Sequence, residues 1–197
     1  MKNLKANEII RLLGNLDEHE YYRERRVQRG ATVKELIIAL QTTTDPNVRR
    51  ILCDMLGNRQ AKTAVPMLLE CLDDPSAGVR KAAADSLGKI GSPSAGESLL
   101  VHFKQEKQKD ARVMLAAGLG AVRHRPSIPF LIEALSDSHP ILRGLAAWSL
   151  GVLRAEEAVD SLRRALDKET DEFPKVRMEE ALTLISAGDE HSNRIGD

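Results

Sequence analysis

The sequence predicts an all-α fold, a right-handed α-solenoid of about five helical hairpins behind an N-terminal helical cap. A segment headed by arginine returns every 31–34 residues between positions 48 and 185, and such a period is the signature of a repeat architecture. Aromatic residues make up only 3% of the 197 residues. Leucine, alanine, isoleucine and valine must therefore fill the core, which favours close helix–helix packing over a β-sandwich.

The N-terminal element is predicted over residues 1–30, where NLKANEIIRLL and HEYYRERRVQR alternate charged and apolar residues at helical spacing. We interpret these segments as one or two amphipathic helices that cover the first repeat. The repeats follow over 31–185, beginning with TVKELIIAL at 32–40. Together they form one predicted domain, 1–188, and residues 189–197 are predicted to be a flexible tail.

The first helix of each predicted repeat carries the arginine. A small residue follows each arginine after four positions and a leucine after seven, so neighbouring helices can approach closely while the leucine fills the seam. A glycine follows the first four leucines, and its place at the end of an apolar helix predicts a C-cap. The arginines are Arg49, Arg80, Arg112, Arg143 and Arg177.

A second apolar block follows each of the first four arginine segments, at 63–72, 94–103, 127–135 and 158–166. Pro66 and Pro129 stand near the start of their blocks, which is typical of the first turn of a helix. Each repeat is thus a helix, a short turn and a second helix. Neither helix buries its apolar face alone, so stacking makes the core.

The pattern D-P-x-V-R-x-x-A-x-x-x-L-G followed by A-V-P-x-L resembles HEAT repeats, specifically the short type described in phycobilin lyases, over about 32–185. The resemblance implies that the second helices line a concave surface and that an Asp/Arg ladder ties one repeat to the next. We expect the five arginines to bond inter-helix carbonyls or the acidic residues just before them, not a ligand. Those acids are Asp45, Asp74, Asp137 and Asp171.

Composition and motifs exclude several functional classes. The formal net charge is zero, so the chain has no global field to attract nucleic acid or an anionic membrane. No apolar run reaches the ~18 residues of a membrane helix, and two cysteines make no disulfide framework. Enzyme and metal-ligand motifs are absent from the sequence. We expect a cytoplasmic protein with no catalytic residues, cofactor or metal.

The side chains predicted to line the concave groove lie on the second helices, opposite their inward leucines. They mix apolar anchors with polar groups, as a protein-binding surface does. Two of them, Cys71 and His102, hold matching positions on adjacent helices, but no carboxylate orients them as a catalytic pair. The set is Met67, Glu70, Cys71, Val101, His102, Phe130, Glu133 and Arg164.

A second candidate surface lies on the first helices, one and five positions after each arginine. These pairs are charged in the first two repeats and apolar in the last three, where they include the only tryptophan. Two interpretations stay open: superhelical twist or the tail covers these side chains, or they form a patch for a partner or for self-association. The apolar set is Val113, Ala117, Trp148, Met178 and Leu182.

Basic residues gather in the turns between paired helices, on one predicted edge of the stack. They form a possible anion-binding edge, although an edge of solvated charges is the favoured interpretation. The residues are Arg59, Lys62, Arg123, His124, Arg125 and Arg154.

The leading functional hypothesis is a non-catalytic scaffold or adaptor that binds a helix or extended segment of another protein in a preformed groove. The alternative, supported by the family resemblance alone, is a chromophore lyase or chaperone-like factor similar to phycobilin lyase subunits. A third hypothesis is nucleic-acid binding along the basic edge. It has little support, since few aromatic side chains are present to stack on bases.

Overall fold

The structure, a computed structural model, describes residues 4–14 and 20–192, with side chains for all of these except 20–23, 25 and 188–192. These residues form α-helices and short 3-10 turns, and no β-strand occurs among them. The all-α prediction is confirmed. The chain divides into two compact units, Met1–Ser92 and Pro93–Asp197, and the predicted single domain over 1–188 stays a prediction.

The described part of the first unit contains six α-helices. They are α1 (Ala6–Gly14), α2 (Glu20–Gly30), α3 (Val33–Thr42), α4 (Pro46–Asn58), α5 (Val65–Glu70) and α6 (Ala77–Ile90). The helix α1 packs against α2, α3 and α4 and buries Ile9 and Leu13. Residues 1–3 and 15–19 of the predicted cap lie outside the described residues.

The second unit also contains six described helices. They are α7 (Gly96–Gln105), α8 (Lys109–Ala121), α9 (Ile128–Ala134), α10 (Pro140–Val152), α11 (Val159–Leu166) and α12 (Glu172–Ser192). The last helix extends beyond the predicted end of the repeats at 185 and includes residues 189–192 of the predicted tail. Residues 193–197 of that tail lie outside the described residues.

The sequence predicts that each first helix pairs with the second helix that follows it. In the structure each second helix pairs with the next first helix instead. Each short second helix packs most extensively on the first helix that follows it, as α5 does on α6, α9 on α10 and α11 on α12. The first helices also pack side by side, α4 on α6, and α8 and α12 on α10. Counting α3 with α4 and α7 with α8, this gives five hairpins, and the last arginine-headed helix has its partner before it.

The glycines that follow the leucine column lie inside helices, so the predicted C-caps are wrong. They have helical backbones, and a Cβ added at Gly57 would lie 2.7 Å from Cα of Ser86 on α6. A Cβ at Gly120 would lie 2.7 Å from Cα of Ser149 on α10. Glycine is needed at Gly57 and Gly120 because the backbones of successive first helices touch there. The four glycines are Gly57, Gly88, Gly120 and Gly151.

The left-handed residue that ends each of these helices comes three positions after the glycine. At the first turn Gln60 has a φ of 50°. Its N–H donates to Gly57 O (2.8 Å), and the N–H of Ala61 donates to Leu56 O (3.1 Å), which is the Schellman arrangement. The equivalent residues are Gly91, Arg123 and Arg154. The caps therefore exist, but mostly without glycine.

The same geometry recurs at the start of five repeats, where one carboxylate accepts a hydrogen bond from the N–H two residues further on. These bonds measure 2.8–3.0 Å, and they order the turn that leads into the next first helix. The carboxylates belong to Asp45, Asp74, Glu106, Asp137 and Glu169. Glu106 and Glu169 were not among the predicted acids.

Asp74, Asp137 and Glu169 also bind an arginine, but from the preceding repeat. Arg49 Nε lies 2.7 Å from Asp74, and Arg112 Nη1 lies 2.7 Å from Asp137. Asp74 and Asp137 are among the predicted acids, but each carboxylate pairs with the arginine 25 residues before it and not with the arginine that follows it. Asp45 instead caps α4 through the N–H groups of its first turn.

The strongest of these pairs joins Arg143 to Glu169. Nε and Nη2 of Arg143 donate to the two carboxylate oxygens at 2.6 and 2.7 Å, a bidentate geometry. The Glu169 side chain is only 3% exposed. Hydrogen bonding from Arg143 lowers the pKa of Glu169 to about 2.

The arginines also donate to backbone carbonyls, as the sequence analysis expects. Arg49 Nη1 reaches Leu40 O at 2.9 Å, and Arg80 Nη1 reaches Asp74 O at 2.9 Å. Arg143 Nη1 reaches Asp137 O at 3.0 Å. Arg177 differs, since it donates to Glu180 of its own helix.

The last helix is two residues out of the predicted register. Ala181 packs on Gly151 in the way that Ser149 packs on Gly120, which makes Lys175 the equivalent of Arg143. In this register Glu179 stands in the small-residue column and Thr183 in the glycine column, and both are exposed. A polar outer face of this kind is typical of a terminal repeat.

Replacing Gly57 with alanine is expected to destabilise the protein by about 1–3 kcal/mol, because the new methyl group meets the backbone of α6 and overpacks the interface. The measurement is the free energy of unfolding in urea, followed by circular dichroism. The matched control is Gly78→Ala at an exposed position of α6, where the nearest atoms are side-chain atoms 3.6 and 3.8 Å away. Helix propensity predicts a gain of up to about 1 kcal/mol there. Equal effects of the two variants would contradict the close-approach interpretation.

Glu169 is expected to make stability depend on pH in the acid range. Its pKa is lowered from 4.5 to about 2 in the folded protein, so its contribution is complete above pH ~4.5 and is lost as the pH falls toward ~2. In Glu169→Gln, the loss of unfolding free energy across this window should be smaller by about 2–3 kcal/mol. Urea unfolding at a series of pH values measures this, and Glu133→Gln, at an exposed site, serves as control. A wild-type acid dependence that survives in Glu169→Gln would rule out this assignment.

Candidate functional site

The predicted groove residues of the first unit are mostly buried. Cys71 is fully buried and Met67 is 8% exposed, whereas Glu70 is exposed. The helix α5 is short and runs directly into a 3-10 turn at Cys71–Asp73. In a 3-10 turn residues three apart share a face, so Cys71 falls beside the buried Leu68. Met67 and Cys71 are therefore core residues, which corrects their assignment to the groove.

The groove residues of the second unit remain at the surface. Val101 on α7 is 41% exposed, and Glu133 on α9 is exposed. His102 is half-buried, with Nδ1 2.7 Å from Ser98 O of its own helix. Arg164 on α11 is exposed and donates to Ser161 Oγ at 3.2 Å.

Phe130 lies at the centre of the most distinctive of these surfaces. Its half-buried ring lies on α9. The ammonium group of Lys104 from α7 lies over this ring, 4.4 Å from the centroid, and makes a cation–π contact. Val101 lies one helical turn before Lys104, and Glu133 lies one turn after Phe130, so all four share one face. We call Val101, Lys104, Phe130 and Glu133 the Phe130 surface.

Lys104 is the member that the sequence analysis missed. The sequence did contain evidence for Lys104, because this residue stands three positions after Val101 and therefore on the same helical face. What the sequence could not show is that α7 and α9 bring this ammonium group over the ring of Phe130. The surface combines an aromatic anchor, an aliphatic side chain and one charge of each sign.

The predicted apolar set on the first helices does not form one exposed patch. Val113 is 4% exposed and Met178 is fully buried, while Ala117, Trp148 and Leu182 are half-buried. In this unit, the residue one position after the arginine faces the next first helix. Gly144 is an example, since its backbone packs against Phe173 of α12. Met178 is interior because of the register of α12. This corrects the inclusion of Val113 and Met178.

The predicted basic edge is largely engaged with backbone carbonyls. Arg59 donates to Gln28 O and Ala31 O at 2.6 and 2.7 Å, and burial lowers its pKa. Arg123 donates to Val152 O at 3.2 Å. These carbonyls lie at or just past helix C-termini, where a guanidinium group is favoured by the helix dipole.

The remaining members of that edge differ in environment. Arg125 donates to Leu153 O at 2.8 Å and to Glu157 at 3.0 Å. His124 Nε2 lies 3.6 Å from a Glu97 carboxylate oxygen. Lys62 and Arg154 are exposed. The edge therefore serves mainly to join neighbouring helices.

Two buried thiols form a separate cluster in the first unit. Cys53 on α4 and Cys71 just after α5 are both fully buried. Nη2 of Arg49 lies 3.6 Å from Cys71 Sγ while its Nε holds Asp74. The hydrogen bond from Cys53 and the charge of Arg49 lower the pKa of Cys71. The pKa of Cys53 is raised by that same hydrogen bond and by burial.

A cavity of about 320 Å³ opens between α11 and α12 in the second unit. Leu182 and Ile185 supply apolar lining, and Arg163 supplies a guanidinium group. The hydroxyl of Ser186, also in the lining, donates to the carbonyls of Leu182 and Thr183. Sequence reasoning did not find this cavity, which results from the terminal position of α12.

Neither a metal centre nor a membrane-spanning helix is found among the described residues. No group of three or more His, Cys, Asp and Glu side chains in residues 4–14 and 20–192 is placed to hold a metal ion. In the same part of the chain no helix has the length and apolarity to traverse a bilayer.

Comparison with known proteins identifies the repeats. Residues 33–112 and 97–185 match the family described as HEAT repeats. Over 85 residues, 43% of this chain and 38% of the other, the sequence is 33% identical to an uncharacterized protein in the gldA 3' region of Geobacillus stearothermophilus. Over 62 residues, 31% of this chain, it is 36% identical to 16% of the epoxyqueuosine reductase of Bacillus subtilis. The chain thus spans well under half of either protein.

A solved structure has the same fold. It is the complex of CpcE and CpcF of phycocyanin lyase from Nostoc sp., which aligns with a TM-score of 0.62 and 21% sequence identity. The alignment covers 76% of this chain and 96% of that chain. At this identity the likeness shows the fold alone.

Proposed function

The chain belongs to the HEAT-repeat family, and on that premise we propose that it is a non-catalytic scaffold that binds another protein through the Phe130 surface. The observation that carries the proposal is the partly exposed Phe130 ring beneath the Lys104 ammonium group. Aromatic side chains are enriched at protein–protein interfaces, where a few buried anchors contribute most of the binding free energy. In a chain with only 3% aromatic residues, few positions offer such an anchor.

The scaffold part of the proposal rests on rigidity. Phe130 stands on α9, which packs against α10 and buries Ile128, Leu131 and Ala134. A ring presented from a packed helix loses little conformational entropy on binding. The surface is therefore preformed in the unbound protein.

The chemistry of the surface indicates the kind of partner. The ring and Val101 would contact an apolar side chain, while Lys104 and Glu133 would pair with opposite charges beside it. A helix or extended segment with one apolar residue flanked by charged ones meets these requirements. The phycocyanin lyase structure is a complex of two subunits, which supports a protein partner for this fold.

Phe130→Ala is expected to reduce capture of the partner at least tenfold, as for a hot-spot residue worth about 1.4 kcal/mol or more. The measurement is a quantitative pull-down with the full chain at physiological salt, with bound proteins compared by mass spectrometry. The matched control is Ile141→Ala, since Ile141 is 47% exposed on the first helix α10. Both variants should keep the circular dichroism spectrum and melting temperature of the wild type.

A second substitution keeps the surface testable in case the Phe130→Ala variant does not fold correctly. Val101→Glu adds a negative charge beside the ring without touching the core, and it should also reduce capture. A partner retained equally by Phe130→Ala, Val101→Glu and Ile141→Ala would show that the Phe130 surface is not the interface.

The alternative hypotheses give different readouts in the same experiment. A chromophore lyase would bind an added bilin and change its visible spectrum, whereas the scaffold leaves the spectrum unchanged. Nucleic-acid binding along the basic edge would show an affinity that falls steeply with salt. Because Arg59, Arg123 and Arg125 are engaged with carbonyls, the structure favours the protein partner.

A further inference from the structure

We propose that the chain forms a homodimer in which the α12 helices of two copies pack side by side, in opposite directions, across a twofold axis. The contact surface is a line of four side chains on α12, which we call the α12 stripe. It uses no residue of the Phe130 surface, and partner capture there does not require it. The α12 stripe consists of Phe173, Arg177, Glu180 and Leu184.

The α12 stripe occupies a face of the last helix that its own unit leaves open. Its residues follow one another at intervals of four, three and four positions, so they form one line along the helix. Phe173 is 41% exposed and Leu184 is 44% exposed, while Glu180 is exposed and Arg177 is half-buried. The helix buries a different line of residues, at positions 174, 178, 181 and 185. The stripe is therefore accessible to a second molecule.

Large apolar side chains are not required at these positions for the repeats to stack. The position equivalent to Phe173 holds Asn47 on α4, and the one equivalent to Leu184 holds Asn58 on α4 and Lys89 on α6. The helices α4 and α6 pack on each other all the same. Phe173 and Leu184 thus expose apolar surface that stacking alone does not explain, and exposed apolar surface of this kind marks interaction sites.

The order of the four residues is self-complementary when two copies of the helix run in opposite directions. A twofold axis midway between residues 178 and 179 places Phe173 of one copy opposite Leu184 of the other. The same axis places Arg177 opposite Glu180. Each contact occurs twice, as in any twofold interface. Apolar contacts therefore close both ends of the interface, and two ion pairs fill its centre.

The charges of the stripe disfavour the parallel arrangement. Two parallel helices in register would bring the two Arg177 side chains together and the two Glu180 side chains together, and contacts between like charges are repulsive. Within one chain Arg177 Nη1 lies 2.7 Å from Glu180 Oε2, and the Arg177 guanidinium group lies 5.5 Å from the centroid of the Phe173 ring. Both charges are thus held on the stripe, where an antiparallel second copy can pair with them.

The neighbouring helix α10 widens the interface. Phe173 lies against Gly144 of α10 and Leu184 lies against Gly151, so the stripe borders the outer face of that helix. The half-buried Trp148 holds the position on α10 that is equivalent to Glu180, and tryptophan is enriched at protein interfaces. The stripe itself is about 16 Å long. We therefore expect a weak dimer, with a dissociation constant of micromolar order.

Sedimentation equilibrium of the full-length protein tests the dimer, at physiological salt and over micromolar to submillimolar concentrations. The mass should rise with concentration from that of the monomer, 21.7 kDa, toward twice that value. Leu184→Ala removes an apolar contact from both ends of the interface, so it should weaken dimerisation about tenfold or more. The matched control is Val176→Ala, because Val176 is 38% exposed on the same helix but lies off the stripe. This control should dimerise like the wild type.

Two charge variants test the antiparallel pairing. Arg177→Glu places two negative charges at the centre of the stripe, and Glu180→Arg places two positive charges there. Each variant alone should dimerise about tenfold more weakly or worse, because like charges then face each other twice. An equimolar mixture of the two variants should restore the dimer, since every negative charge then faces a positive one. Circular dichroism should show the wild-type spectrum for every variant.

Three results would overturn the proposal. One is a wild-type mass that stays at the monomer value over the whole concentration range, including the case in which Leu184→Ala instead abolishes capture of a different protein. Another is a dimer that Leu184→Ala and both charge variants leave as strong as Val176→Ala does. The third is a mixture of the charge variants that dimerises no better than either variant alone. Phe130→Ala should leave the dimer intact, so the two proposals succeed or fail separately.

Discussion

Backbone contact between successive first helices is the constraint on which the rest of each unit depends. At Gly57 and Gly120 the neighbouring helix comes so close that even one methyl group would collide with its Cα atom. Buried hydroxyl groups complete the contact, since Ser86 Oγ donates to Cys53 O and Ser149 Oγ donates to Ala116 O, both at 2.8 Å. The small-residue column therefore does more than fill the space between helices. It exposes backbone carbonyls that a neighbouring helix can reach.

The sequence contains most of the architecture because its period is a direct consequence of this contact. Arginine, small residue, leucine and glycine return at fixed spacing, and the structure buries the small-residue column from Cys53 to Ala147 in the core. The final helix shows the limit of the method. Arg177 fits the arginine motif by eye, yet backbone contact at Gly151 selects the register in which Lys175 takes that place. Motif matching compares the types of side chain along the sequence, whereas the register of the helix depends on which backbone atoms are in contact.

The candidate surface was only partly predictable for a related reason. A helical projection assigns Met67 and Cys71 to the outside, but the change to 3-10 geometry after six residues of α5 returns Cys71 to the inside. The contact between Lys104 and Phe130 joins two helices, so it has no counterpart in either segment alone. Local periodicity shows which face a residue occupies on a regular helix. It does not show which neighbour will meet it there.

The carboxylates at the start of the repeats have a consequence for how each unit folds. Asp137 orders its own turn through the N–H of His139 and at the same time holds Arg112 of the repeat before it. Glu169 does the same for its turn and for Arg143. Loosening one turn therefore releases a guanidinium group on the adjacent helix, so the free energy of each repeat includes part of its neighbour's. Within a unit, neighbouring hairpins gain and lose their order together, and the carboxylates are the links that make unfolding cooperative.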